Sequence, residues 1–509
     1  MALLQVKTES GMIEGLTGWN QAVGLFRGIP YAKAPVGNLR WKAPEPVEPW
    51  EGVLKAYNWG PISYQERRAS EGGGDLIGEE FYCVEWPRSE DCLYLNVWTP
   101  AKSANEKLPV GVYLHGGGYA QGYGHLNCYD GEGFAKRGIV TVTLNHRLGI
   151  FGYLAHPELT AEDEHHTSGN YGMLDIIEAL KWVKKNISAF GGDPDQITVF
   201  GQSGGGGKSV MMLTTPLTDG IVKGAIMQSG GGVDMTRGEL HLKEAEENGK
   251  KVIDFMGYAS VDEARKASPE ELLKKIREYC DNNPLKMMGL FGPNADGYVF
   301  PKHWNRLVQS GEFKDVPTMI GCTAQEFVAD KFIAGGSFKL PDREKAFADG
   351  ERDLGDGEAY LRAIKYDTDP EYAAKMYSGY VRTYAMYAAD IAFSESQIAN
   401  GHKPAYQYYL TLVPPTAETA HHSAEHQYVF QTLTKSKRPY AGRDWDLSNQ
   451  LADYWANFIK YGNPNGDGLP QWTPYTADCK QVMDIDYNLH MIDLPTNDLI
   501  ELQLALDLK

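Results

Sequence analysis

Residues 197–213 read ITVFGQSGGGGKSVMML and join a short apolar run, a glycine-rich turn and a second apolar run. The β-branched residues 197–200 predict a strand, and residues 208–213 predict a helix. Between them, residues 201–205 fit the pattern GxSxG, in which a serine lies on a sharp turn from strand to helix. Glycine costs a helix about 1 kcal/mol relative to alanine, so four in a row indicate a close backbone approach. Ser203 is therefore predicted to be a nucleophile.

A second glycine motif lies upstream. Residues 115–119 read HGGGY and follow an apolar run at 110–114 that predicts another strand. Glycines at such a strand end let backbone N–H groups point at a developing oxyanion, and one such donor stabilises the transition state by about 3 kcal/mol. The two motifs together predict a nucleophile and an oxyanion site.

In the remaining chain, short predicted strands alternate with helical patterns, which is typical of a mostly parallel α/β sheet. Further strands are predicted at 139–144, 224–227, 317–320 and 405–410, and an amphipathic helix at 174–186. Two charged helical segments, at about 238–290 and 340–400, interrupt the strand pattern, which resumes after each. We therefore expect one domain over residues 1–509, with those segments as helical caps.

The charge balance limits the partners. The chain carries 49 Lys+Arg against 67 Asp+Glu, a formal net charge of −18. This balance argues against nucleic acid and against anionic membrane surfaces, both of which need basic patches. No stretch reads as a membrane span, and the first residues lack a signal-peptide pattern, so a cytoplasmic location is expected. The oligomeric state, monomer or dimer, is not indicated.

The six cysteines are too sparse for a disulfide scaffold, and none has CxxC spacing. Cys83 and Cys92 are close enough in sequence to form a bridge, which the sequence leaves open. Free thiols are the favoured interpretation of all six.

Five landmarks make the sequence resemble the type-B carboxylesterase/lipase family, which includes p-nitrobenzyl esterases and cholinesterases. They span most of the chain. They are SEDCLYLN at 89–96, NHRLG at 145–149, FGG at 190–192 followed by the GxSxG, QSG at 228–230, and YWANF at 454–458.

The resemblance implies an α/β-hydrolase fold and a serine esterase without metal or organic cofactor. It implies the triad Ser203, Glu326 and His422, with Asp330 and His421 as rival positions for the acid and the base. It further implies that backbone amides of Gly117, Gly118 and Gly204 bind the oxyanion. Ser229 is expected either to support the acid or to be a structural serine at a strand end.

In the implied mechanism, His422 takes the Ser203 proton as the serine attacks an ester carbonyl, and water later discharges the acyl-enzyme. Position 202 is glutamine, whereas the family usually has glutamate there. A carboxylate at 4 Å would attract a cationic substrate by about 1–4 kcal/mol. Gln202 lacks that charge, so we expect neutral aryl, short-chain alkyl or hydroxycinnamoyl esters as substrates.

Three other functional interpretations exist. Residues 422–426 read HSAEH and fit the zinc pattern HxxEH, which would make the protein a metallopeptidase. A hydrolase-fold binding protein without activity is a second alternative. Residues 207–209 read GKS, but a P-loop needs a glycine at position 202, so a nucleotide site is not expected.

Overall fold

A computed structural model describes residues 1–66, 81, 84–235, 238–282, 290–327 and 340–509. Cys83 and Asp330 lie outside the described residues. The possible bridge from Cys83 to Cys92, and Asp330 as the rival position for the acid, therefore fall outside them too. The chain divides into two compact units. The described residues of 1–69, 84–223 and 239–304 form the first, and those of 70–83, 224–238 and 305–509 form the second.

The first unit contains a mixed sheet. Its strands pair in the order Leu16–Thr17, Gly24–Pro30, Tyr94–Thr99, Val140–Leu144, Leu108–Leu114 and Gly192–Gln202. The first three pairings are antiparallel and the last two are parallel. Shorter strands elsewhere in the unit are Gln5–Lys7, Met12–Glu14, Val53–Lys55, Ile62–Ser63 and Arg88–Ser89.

The parallel strands form the core of this unit because they are apolar on both faces. All five residues of Val140–Leu144 are buried, as are the last five of Leu108–Leu114. Such continuous burial is typical of parallel strands with helices on both faces. The carboxyl ends of Leu108–Leu114 and Gly192–Gln202 meet at one edge, because these two strands run parallel. The two glycine motifs follow these ends.

The helices of the first unit include the predicted amphipathic helix, which spans Tyr171–Asn186. A 3₁₀ turn at Ile187–Phe190 follows it, and Gly191 ends the turn with a left-handed φ of 80°. The other α-helices are Glu132–Ala135, Gly149–Tyr153, Pro157–Glu162, Gly204–Thr214, Leu242–Met256, Val261–Arg265 and Pro269–Asp281. Further 3₁₀ turns lie at Gly37–Leu39, Asn127–Tyr129 and Pro216–Thr218.

A buried ion pair ties the sheet of the first unit to the helix Tyr171–Asn186. Arg147 donates through Nε to Asp175 Oδ2 at 2.9 Å and through Nη2 to Asp175 Oδ1 at 2.7 Å. Arg147 Nη1 also donates to the carbonyl of Lys42 at 2.8 Å. Both side chains of the pair are buried, and the two parallel hydrogen bonds offset the desolvation of the charges.

The second unit contains five further paired strands. They are Val222–Gln228, which enters this unit at Gly224, then Thr318–Thr323, Tyr406–Leu410, Gln481–Ile485 and His490–Asp493. All pairings are parallel except the last. The helices are Trp304–Gln309, Arg343–Leu354, Gly357–Ala363, Pro370–Lys375, Val381–Ala399, His426–Val429, Gly442–Tyr461 and Asp498–Asp507, with a π-helical segment at Met376–Tyr380 and a 3₁₀ turn at Leu433–Lys435.

The predicted strands and helices are present, and two of them begin four or five residues before the predicted start. The strand predicted at 197–200 spans Gly192–Gln202, because Gly192 pairs with Leu108 across a register shift that precedes Ile197. The helix predicted from 208 begins at Gly204, inside the glycine run. Helices occupy parts of both 238–290 and 340–400. Their role as caps, and the single domain over residues 1–509, stay predictions.

None of the helices in the described part of the chain has the length and apolarity that a membrane span requires.

Candidate active site

Ser203 lies on the sharp turn between the strand Gly192–Gln202 and the helix Gly204–Thr214. Its backbone has φ 58° and ψ −126°, a strained conformation for a residue with a side chain. A serine held in this way is expected where a strand turns directly into a helix and projects its hydroxyl outward. Ser203 is partly exposed, whereas Gln202 beside it is buried.

The loop at 116–118 packs directly on this turn. A Cβ added to Gly204 would lie 2.5 Å from the Gly118 carbonyl oxygen and 2.7 Å from the Gly118 nitrogen. A Cβ added to Gly116 would lie 3.4 Å from Cβ of Ser203. Gly117 and Gly118 themselves have φ values of 89° and 63°, which side chains rarely adopt. The structure therefore brings Ser203 together with the three predicted oxyanion glycines.

The glycine run also explains why the helix begins so early. A Cβ added to Gly205 would lie 2.0 Å from the carbonyl oxygen of Leu114, in the neighbouring strand. The first turn of the helix therefore rests on strand backbone, and only glycine leaves room for it. Helix propensity favoured a later start, but this tertiary contact overrides it.

In the second unit, Glu326 and His422 meet. His422 Nδ1 and Glu326 Oε2 form a short hydrogen bond, and both side chains are buried. The other carboxylate oxygen of Glu326 accepts from the backbone N–H of Thr323 at 2.7 Å. This arrangement fixes the orientation of the imidazole.

Backbone hydrogen bonds hold the two loops that carry this pair. The His422 N–H donates to the Glu326 carbonyl at 2.9 Å, and the Gln325 N–H donates to the Ala420 carbonyl at 3.2 Å. The Ala420 N–H in turn donates to the Gln325 side chain at 2.8 Å. The ring of Phe327 lies 4.5 Å from the ring of His422. Phe327 therefore covers the imidazole, at the position where the family usually has glycine.

The rival histidine is engaged elsewhere. His421 Nδ1 bonds to the His422 carbonyl oxygen at 2.9 Å, and Arg438 Nη2 lies 3.3 Å from His421 Nε2. Burial lowers the pKa of His421 to about 4. Glu326 therefore contacts His422 and not its neighbour.

The zinc interpretation of residues 422–426 is wrong. Glu425 accepts from Gln228 Nε2 at 3.1 Å, and His426 Nδ1 lies 3.1 Å from the Ser423 carbonyl. Burial, and next the charge of Glu326, raise the pKa of Glu425 to about 7. Across the described ranges, no group of three or more His, Cys, Asp and Glu side chains could hold a metal ion.

Ser229 lies at a strand end, and its role stays a prediction. Its N–H donates to the Gly321 carbonyl at 2.8 Å, at the end of the strand Val222–Gln228. Its buried hydroxyl has no hydrogen-bond partner among the residues that the structure describes.

Two of the aromatic residues near the motifs differ in exposure, since Tyr123 is buried and Tyr119 is half-buried.

The carboxylesterase family model matches residues 2–501. Para-nitrobenzyl esterase of Bacillus subtilis (strain 168) is 32% identical over 514 residues, which cover 97% of this chain and 97% of that protein. Fumonisin B1 esterase of Sphingopyxis macrogoltabida is 32% identical over 485 residues, which cover 91% of this chain and 83% of that protein.

Solved structures show the same likeness. A PNB esterase structure has a TM-score of 0.83 at 30% identity, with 98% of this chain and 99% of that chain covered. A carboxylesterase of Geobacillus stearothermophilus has a TM-score of 0.81 at 30% identity, with 97% and 98% covered. The chain has the α/β-hydrolase fold, is a serine hydrolase of carboxylic esters, and belongs to the carboxylesterase family.

Proposed function

We propose that Ser203 is the nucleophile of this esterase, that His422 is its general base and acid, and that Glu326 orients His422. The observation that carries the proposal is the strained Ser203 turn with the 116–118 loop packed against it. The Glu326–His422 pair supports it, because a buried carboxylate on Nδ1 favours the tautomer in which Nε2 accepts a proton.

The proposed reaction has two steps. Ser203 Oγ attacks the ester carbonyl carbon while His422 Nε2 takes the hydroxyl proton, and the amides of Gly117, Gly118 and Gly204 stabilise the oxyanion. The C–O bond to the alcohol then breaks, and His422 returns the proton to the alcohol. Water, deprotonated by His422, next attacks the acyl carbon. The C–O bond to Ser203 Oγ then breaks, His422 returns the proton to Oγ, and the carboxylic acid leaves.

The test uses p-nitrophenyl butyrate and three variants. Ser203→Ala, His422→Gln and Glu326→Gln should each lose activity, the first two by roughly 10⁴-fold or more. Ser209→Ala is the matched control, because Ser209 lies in the same helix and donates only to the Gly205 carbonyl at 2.9 Å. If Ser203→Ala kept a tenth of the parent rate, Ser203 would not be the nucleophile.

For the substrate, we propose neutral aryl, short-chain alkyl or hydroxycinnamoyl esters. Gln202 is buried beside the nucleophile and brings no charge to it. The para-nitrobenzyl group in the name of one relative is likewise uncharged. Rates should be compared for a neutral ester and its trimethylammonium isostere. A tenfold preference for the cationic ester would contradict the proposal.

A cytoplasmic location and the absence of a cofactor stay predictions, and so does the lack of nucleic-acid and membrane partners.

A further inference from the structure

Lys208 is a fully buried lysine in the helix that begins after the nucleophile. Lysine is almost never fully buried without an acidic partner. Among the residues that the structure describes, no carboxylate lies within ion-pair distance of Lys208. A cation kept in an apolar interior at such cost needs a compensating contact or a function.

The contact of Lys208 is with the loop that carries the oxyanion glycines. Lys208 Nζ donates a hydrogen bond to the carbonyl oxygen of His115 at 3.0 Å. That carbonyl belongs to the peptide that joins His115 to Gly116, at the start of the glycine motif. Nζ also lies 5.7 Å from the centre of the Tyr119 ring, on the other side of the motif.

The other titratable groups that face Lys208 carry no compensating negative charge. The rings of His115 and His146 stack at 4.6 Å, and both are buried. Burial first, and the Lys208 cation second, hold the pKa of each histidine well below its usual range. Both imidazoles are therefore neutral near pH 7. Beside these two described imidazoles, Lys208 is the group that brings charge to the loop.

We propose that Lys208 is a positioning residue that holds the 115–118 loop and, as a cation, favours the negative charge that develops on the substrate carbonyl oxygen. Preorganised positive charge in a water-excluded site stabilises such an oxyanion more than it would in water. This inference rests on the proposed roles of Ser203 and the loop glycines.

The cationic state of Lys208 depends on pH. Burial lowers the pKa of Lys208 to about 7. Lys208 is therefore mostly charged at pH 6 and mostly neutral at pH 9. Its electrostatic effect should fade over that range, whereas an effect of packing alone would not.

The experiment compares Lys208→Met with the parent, with Lys181→Met as control because Lys181 is an exposed lysine of the first unit. Initial rates on p-nitrophenyl butyrate are divided by the active sites titrated with a phosphonylating reagent. At pH 6 we expect the kcat of Lys208→Met to be lower than that of the parent by roughly tenfold to a hundredfold. This decrease is no larger than the one caused by removing an oxyanion-hole donor. The KM of the variant should stay within twofold of the parent value. The ratio of parent to variant kcat should fall toward one as the pH rises to 9, because Lys208 loses its charge over that range.

A trifluoromethyl ketone, which forms an oxyanion on the serine, should bind the variant more weakly at pH 6 by the same factor. A kcat ratio below two at pH 6, a ratio that stays constant with pH, or unchanged ketone affinity would each overturn the inference. Lys208→Leu repeats the test with a second neutral side chain. The residual activity of Ser203→Ala is measured as a separate experiment, because it tests the role of the nucleophile and not that of the lysine.

Discussion

The contact between the helix Gly204–Thr214 and the strand Leu108–Leu114 gives a sharp prediction for Gly205→Ala. The new Cβ would lie 2.0 Å from the Leu114 carbonyl oxygen, well inside an ordinary contact of about 3.4 Å. The strand cannot move away cheaply, because it is paired on both sides. Overpacking of this kind lowers the free energy of unfolding by about 3 kcal/mol, whereas the better helix propensity of alanine raises it by about 1 kcal/mol.

We therefore expect Gly205→Ala to lower the free energy of unfolding by about 2 kcal/mol or more, together with the esterase activity. The measurement is guanidinium unfolding followed by circular dichroism. Gly442→Ala is the matched control, because Gly442 also begins a helix but nothing lies within 4 Å of its added Cβ. The control should gain up to about 1 kcal/mol. Equal stabilities for the two variants would refute the argument that backbone approach requires the glycine.

Three other predictions concern charge. Gln202→Glu should raise the relative rate on a cationic ester over its neutral isostere by roughly tenfold, since the charge is worth about 1–4 kcal/mol at 4 Å; an unchanged ratio in competition assays would argue against the specificity proposal. The pKa of Lys208 is about 7 in the folded chain and higher in the unfolded chain, so the unfolded chain binds more protons between pH 7 and 10. The parent should therefore gain up to about 4 kcal/mol of stability over that range relative to Lys208→Met, as measured by unfolding at several pH values. For Glu425, whose folded pKa is raised to about 7, the stabilising effect of the protonated form is present below pH 4.5 and lost as the pH rises through 7. Glu425→Gln should remove that loss, roughly 3 kcal/mol, and a parallel pH dependence in both proteins would count against it.

The sequence predicted the nucleophile turn because its signal is local. A β-branched run, a glycine-rich pentapeptide and an apolar helix lie next to each other at 197–213, so short-range sterics decide the geometry. The bounds of the elements were less predictable, because they depend on contacts far away in sequence. The early helix start at Gly204 follows from its fit against Gly118, which propensity does not encode.

The acid and the base could not be paired from spacing, because 96 residues separate Glu326 from His422. Their positions came from the family resemblance, and the contact between them needed coordinates. The sequence does not single out Lys208 as a functional residue, because its GKS pattern matters there only for a P-loop. The available signal is a single lysine two residues before the apolar residues 210–213, which predicts that its charge is buried with the rest of that helix.

The buried pair of Arg147 and Asp175 has a consequence for laboratory evolution. Replacing either partner alone strands the other charge and costs about 3–5 kcal/mol, whereas two apolar residues of similar volume are often tolerated. A selection that accepts one substitution per round would therefore score both positions as immutable. A library that randomises the two codons together would recover folded variants with two hydrophobic residues. Single substitutions made one after the other reach these variants only through a strongly destabilised protein.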